Sequence, residues 1–269
     1  MAIELAPSKR IGKTKTTKTN EIEKARKRIQ SVDIVEPISM VIYARNKVGK
    51  TRFACDSPLK TLVIDCNERG TASVRKYGPR VDVYRIRQWE DLDPIYWLLR
   101  SGEHDYEVIV IDTITMLATV CMRWVLKDDS DRDFNRDPKT PDQRSWGKMG
   151  EHIKDTIVKF RNLPYHIIFT AQEKMTISEE EDGTSSSISH PELSPAPRSV
   201  LLSAVSIIGR LYVAETTDKK GKKVHERRML LGPHEKYLAG NRFDELKYIE
   251  RNPTFGGFLA KIAAGEKNA

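Results

Sequence analysis

The run Ala44-Arg-Asn-Lys-Val-Gly-Lys-Thr51 sets a glycine, a lysine and a hydroxyl residue in succession after an apolar stretch. That order suits a loop wrapped around phosphate. Gly49 lets the backbone approach closely, Lys50 brings charge to the β- and γ-phosphates, and Thr51 offers a hydroxyl to Mg2+. The pattern G-x-x-x-x-G-K-[ST] is met at every defined position except the first, where Ala44 removes freedom from the opening turn residue. Arg45, Asn46, Lys47 and Val48 fill the loop, and Arg52 follows it, so Ala44 to Arg52 is the expected nucleotide-contacting set. ATP with Mg2+ is the expected ligand; a merely basic loop is the alternative.

Asp112 closes Glu107-Val-Ile-Val-Ile-Asp112, the most apolar run of the chain. Where a parallel sheet opens its binding crevice, at the carboxyl ends of its strands, such an acid can hold the hydration shell of Mg2+ opposite Thr51. The other reading is an acid capping the helix that starts near Thr113.

These residues need elements to position them. Ile38 to Tyr43 reads as a buried strand ahead of the loop, with a helix opening near Lys50. Further strands are expected at Thr61–Asp65, Val81–Ile86, Glu107–Asp112 and Tyr165–Ala171, and helices at Glu90–Arg100, Thr115–Lys127 and Gln143–Asn162. Short apolar strands alternating with amphipathic helices indicate βαβ units and a mostly parallel sheet covered on both faces. Asp128 to Pro141 is expected as a loop. The stretch 175–199, with Glu179-Glu-Glu-Asp-Gly-Thr-Ser-Ser-Ser187 and prolines 191, 195 and 197, is expected as a long mobile loop. Ser206–Glu215 and Val224–Leu231 read as strands flanking the lysine-rich tip Asp218–Lys223, a C-terminal β-hairpin extension with Gly221 at its turn.

Composition bounds the rest. Of a net charge of +8, six units lie between Met1 and Gln30, where nine basic residues face three acids. So few apolar residues cannot offset the entropy of ordering, and a largely disordered basic arm over 1–31 is expected. It either gathers phosphates or solubilises the chain. The core is expected over 32–250 and a tail over 251–269. No apolar run reaches the roughly 18 residues that span a bilayer, so no membrane partner and a cytoplasmic setting are expected. Cys55, Cys66 and Cys121 form no C-x-x-C pair and read as buried thiols, and the six histidines lack ligand spacing.

Five stations taken together resemble a known family: the phosphate loop, Leu62-Val-Ile-Asp-Cys-Asn-Glu-Arg-Gly70, Val108-Ile-Val-Ile-Asp-Thr-Ile114, Ser145-Trp-Gly-Lys-Met149, and His166-Ile-Ile-Phe-Thr-Ala-Gln-Glu173. From about Ile38 to Leu246 the chain is similar to phage-encoded RecA-like P-loop ATPases of single-strand annealing and recombination, relatives of the RecA/RadA core. The resemblance implies a RecA-like α/β fold and an ATPase stimulated by single-stranded DNA. It implies a homo-oligomer, ring or filament, and a single-strand-binding protein as a partner. It implies that an acid after the second strand activates the attacking water. Glu68 is the matching residue, three positions beyond Asp65, whereas RecA proteins have the glutamate two beyond, where this chain has Asn67. It implies that Gln172 senses the γ-phosphate and that Lys174 to Arg198 meets DNA. In Tyr237-Leu-Ala-Gly-Asn-Arg242, Arg242 matches an arginine that reaches a neighbour's ATP, with Gly240 where a lysine would stand. A surface turn at Glu68, a polar strand end at Gln172 and a surface arginine at Arg242 are the alternatives. Ala44, Asn67 and Gly240 favour a rival, an annealing module whose nucleotide site is structural and does not hydrolyse; a replicative helicase or its loader is another.

Overall fold

The structure, a computed structural model, describes residues 20–29, 37–66, 70–179, 185–217 and 221–266. Two units separate at Glu36 and Pro37. In the first, residues 20–26 are helical and exposed, with the Lys27 N–H donating to the Glu23 carbonyl at 3.0 Å. An acid and a base one turn apart, Glu23 and Lys27, support this short helix in the second half of the arm. The remainder of the 1–31 arm falls outside the described residues.

The second unit is built on strands β1 (Ser39–Ala44), β2 (Thr61–Asp65), β3 (Val81–Arg85), β4 (Val108–Asp112) and β5 (His166–Glu179). Beyond them come β6 (Ser185–Pro191), β7 (Ile207–Thr217), β8 (Lys223–Leu230), β9 (Gly240–Asn241) and β10 (Ile249–Arg251). The sheet runs β10-β8-β7-β1-β5-β4-β2-β3, with β6 on β5 and β9 on β7. From β7 to β3 every pairing is parallel, whereas β8, β9 and β10 join antiparallel. The fold is therefore α/β with a mostly parallel central sheet, and β7, expected as half of an appended hairpin, is itself a member of that sheet beside β1.

Successive residues of each central strand serve opposite faces, as the two-residue strand period requires. Val41, Tyr43, Ile109, Ile111, Ile167 and Phe169 enter one core with α2 (Leu92–Ser101), α3 (Ile114–Arg132), α4 (Gln143–Arg161) and α5 (Pro195–Ala204). Met40, Ile42, Val108, Val110 and Ile168 enter the other, with α1 (Lys50–Cys55), the 3-10 stretch Gly70–Arg80 and α6 (Phe255–Glu266). Cys55, Cys66 and Cys121 are all buried thiols.

Three boundaries differ from expectation. Helix α3 runs on to Arg132, into the expected loop. Its end is held by Asp129, which pairs with Arg136 at 3.1 Å and with Lys148 of α4. The described part of 175–199 is mostly regular: β5 continues to Glu179, β6 pairs back on it from Ser185 to Pro191, and α5 begins at Pro195, while residues 180–184 of the expected mobile loop lie outside the described residues. Of the prolines that looked like loop markers, Pro191 closes β6, and Pro195 and Pro197 sit in the first turn of α5, where a missing N–H costs nothing. The expected tail at 251–269 contains α6, whose Phe255, Phe258 and Ile262 are buried. Phe53 of α1 meets the Phe258 ring at 5.2 Å and the Phe255 ring at 6.4 Å, both edge-on. Gly256 allows this seat, because a Cβ there would come within 3.2 Å of the Asp56 carbonyl. The paired glycines 256 and 257 mask the helix in sequence by their poor propensity.

Candidate functional site

The carboxyl ends of β1, β5, β4 and β2 lie side by side. Ala44 is in register with Gln172, and Asp112 with Asp65. The loop 45–49 leaves β1 here, with Lys47 at φ 63° and Gly49 at φ 112°. Left-handed backbone of this kind favours glycine and explains Gly49 locally. Lys50 opens α1 and is only 7% exposed. A buried ammonium needs acceptors. Its Nζ donates to the Ala44 carbonyl at 3.2 Å, the Arg45 carbonyl at 3.4 Å and Gln172 Oε1 at 3.0 Å. The lysine is thus gathered between its own loop and the middle of β5, where the parallel pairing with β1 ends.

One residue on, Thr51 Oγ1 donates to Asp112 Oδ2 at 2.8 Å. The other carboxylate oxygen accepts from Thr170 Oγ1 at 2.5 Å. Thr170 was missed in the sequence, although a hydroxyl inside Ile-Ile-Phe-Thr-Ala is a visible signal. The cap of α3 is Thr113, whose hydroxyl accepts from the Met116 N–H at 3.1 Å, so Asp112 is not spent on capping. A Cβ at Gly70 would lie 3.6 Å from both Asp112 Oδ2 and Thr51 Oγ1, so Gly70 borders this pair without a side chain of its own. Hard oxygen donors of this kind fit a hydrated Mg2+, which keeps several of its waters.

Gln172 also anchors the following hairpin. Its N–H donates to Thr115 Oγ1 at 3.1 Å, Thr115 Oγ1 donates to the Glu192 carbonyl at 2.9 Å, and the Glu192 N–H donates to the Gln172 carbonyl at 2.8 Å. Next to it, Glu173 pairs with Arg210 at 2.6 Å, and the Arg210 guanidinium covers the Tyr237 ring at 3.8 Å. Tyr43 donates to the Ser189 carbonyl at 3.2 Å, and burial raises its phenol well above the ordinary range, so it stays a donor.

A family model described as an AAA domain matches residues 36–243. The chain belongs to the AAA-domain family. It is an AAA-type P-loop ATPase domain, with the nucleotide and Mg2+ use that this family implies. No curated protein matches the chain.

Within this AAA domain the expected residues fall into three groups. Lys50, Thr51, Asp112 and Gln172 are brought together. Arg45, Asn46, Lys47 and Arg52 are exposed around them. Arg242 is exposed elsewhere, at the end of β9, where its N–H donates to the Ser206 carbonyl at 3.1 Å and its Nη2 to the Ser203 carbonyl at 3.4 Å. Glu68 and Asn67 lie outside the described residues, as do Lys219 and Lys220 of the lysine-rich tip.

From Asn46 and Gln172 a groove of about 1060 Å³ extends along α3. Lys174 of β5, Arg198 of α5, Arg123 of α3, Lys139 and the half-exposed Trp146 of α4 are among its lining residues. His190 is wedged there between Thr176, at 2.8 Å, and Arg198, at 2.8 Å. Among the described residues no helix is long and apolar enough to cross a membrane.

Proposed function

We propose that this AAA domain is a RecA-like ATPase that acts on single-stranded DNA in recombination or strand annealing of the phage type, in the cytoplasm. The observation that carries the reading is the contact of Lys50 with Gln172, because Gln172 is at once a neighbour of the phosphate lysine and the root of the hairpin that walls the groove. A γ-phosphate that draws Lys50 away frees the Gln172 amide, which offers both a donor and an acceptor for it. The change then passes through Thr115 and Glu192 into β6. In the groove, Arg123, Lys139, Lys174 and Arg198 suit a phosphate backbone and Trp146 suits a stacked base.

Lys50 and the loop from Ala44 to Arg52 bind the β- and γ-phosphates of ATP. Thr51 and Asp112 hold Mg2+, which when bound neutralises charge on the phosphate oxygens. Glu68 takes the proton of the attacking water. Arg242 reaches the ATP of a neighbouring copy in a ring or filament, where it stabilises charge only after assembly. A single-strand-binding protein is the natural partner.

The test is ATP hydrolysis by the full chain with and without single-stranded DNA, beside Lys50→Ala. DNA-stimulated turnover that Lys50→Ala abolishes is expected. DNA annealing by both chains without hydrolysis would instead make the nucleotide site a scaffold and sink the proposal. Processive strand separation would point to a helicase.

A further inference from the structure

Arg227 lies on β8, 179 positions from the residue it grips. Its Nε donates to the Val48 carbonyl, inside the phosphate loop, at 2.8 Å. Its own carbonyl accepts from the Asn252 N–H at 2.7 Å, which ties this part of β8 to the turn before α6. The guanidinium is close to the loop: a Cβ at Gly49 would come 2.9 Å from Nε. Gly49 is required by its φ of 112°, and any side chain there would also push Arg227 off its seat. Beside the pair is a small cavity of about 80 Å³, bordered by Arg52, Asp56, Arg227, Asn252 and Thr254.

We propose that Arg227 is a positioning residue for nucleotide binding that acts within its own chain. The claim rests on the nucleotide reading above. Across a trans peptide the carbonyl and the next N–H point in opposite directions. Holding the Val48 oxygen on the outer side thus aims the Gly49 N–H away from Arg227, as a phosphate-cradling loop needs. A rigid guanidinium can do this with one N–H and keep its terminal donors for the cavity beside the loop, which a lysine's single ammonium cannot. The short α1, six residues long, offers little support of its own, so the loop depends on this outside brace.

The experiment is hydrogen–deuterium exchange over residues 44–51 of the nucleotide-free full chain, paired with binding of N-methylanthraniloyl-ADP in Mg2+. Native chain, Arg227→Met and Arg227→Lys are compared, with thermal unfolding as the check on folding. In Arg227→Met the Gly49 amide is expected to exchange faster, and the nucleotide to bind about tenfold more weakly, the loss typical of one charge-assisted hydrogen bond. Turnover at saturating ATP should stay near native, since the residue shapes the loop and touches no reacting atom. Arg227→Lys should fall between the two. Native exchange at Gly49 and native affinity in Arg227→Met would overturn the role of Arg227 alone. A native chain that takes up no nucleotide would overturn the proposed function and this role with it.

Discussion

At the phosphate corner, Lys50 meets Gln172 and Thr51 meets Asp112 because the parallel pairing of neighbouring strands ends there. Short local motifs and a regular sheet bring these four residues together, and Arg227 of β8 holds the loop beside them. The segment from Tyr237 to Glu266 is assembled on other terms. It carries Arg242 out to an exposed position bonded to Ser203 and Ser206, and then buries α6 against the back of α1. One region is assembled from the ends of the parallel pairings and the loop that leaves β1. The other braces the first and presents an arginine that, in our reading, works on another copy. Chemistry that a sheet edge can host is complete in one chain, whereas transition-state charge supplied from outside makes activity depend on assembly.

The sharpest way to break this contrast is Arg242→Ala. Hydrolysis is expected to fall by about 10³-fold, the scale of a lost arginine finger, while nucleotide affinity is unchanged. Mixing that variant with Lys50→Ala should restore part of the turnover, since each supplies what the other lacks. Weaker nucleotide binding by Arg242→Ala at dilution would place the arginine in its own chain's site instead.

The bracing role is tested by Phe258→Ala. Removing a ring that is 1% exposed and packed on Phe53 should cost about 3–5 kcal/mol in denaturant unfolding. A loss below about 1 kcal/mol, the level of many surface substitutions, would mean that α6 is an ornament to the fold.

The smallest effect concerns pH. His166 accepts the Ile38 N–H on Nδ1 at 2.9 Å and meets the Phe255 ring of α6 at 5.6 Å. Burial lowers its pKa from the ordinary 6.5, outweighing the opposite pull of Glu107. The unfolded chain thus takes up a proton that the native ring resists. This contribution to stability is complete above pH 6.5 and is lost as pH falls below it. The thermal midpoint is expected to drop between pH 6.5 and 5, and to drop less in His166→Gln. His190, lowered chiefly by burial and further by Arg198 and Lys174, adds to the same trend. Equal slopes in the two chains would acquit His166.

The order of strands and helices up to Ala171 was readable, since short buried β-branched runs between amphipathic stretches admit few other arrangements. The neighbourhood of Lys50, Thr51, Asp112 and Gln172 was readable too, because Lys50 opens a helix, Asp112 closes a strand, and Gln172 ends the apolar run that pairs with both neighbours. The β5–β6 hairpin was not, since Ser185-Ser-Ser-Ile-Ser-His190 has loop composition and becomes a strand only beside its partner. Nor was α6, hidden by Gly256 and Gly257. Thr170 carried a faint signal and Arg227 none.

By itself the sequence determined the phosphate loop, the acid opposite it and a parallel sheet to hold both, because those depend on spacing along the chain and on strand period. Only the tertiary structure decided that Thr113 caps α3 and leaves Asp112 to Thr51 and Thr170. Only it decided that α6 closes under α1, and that an arginine from β8 holds the Val48 carbonyl. Such pairings join residues far apart in sequence, and packing and hydrogen-bond geometry, not local propensity, select them.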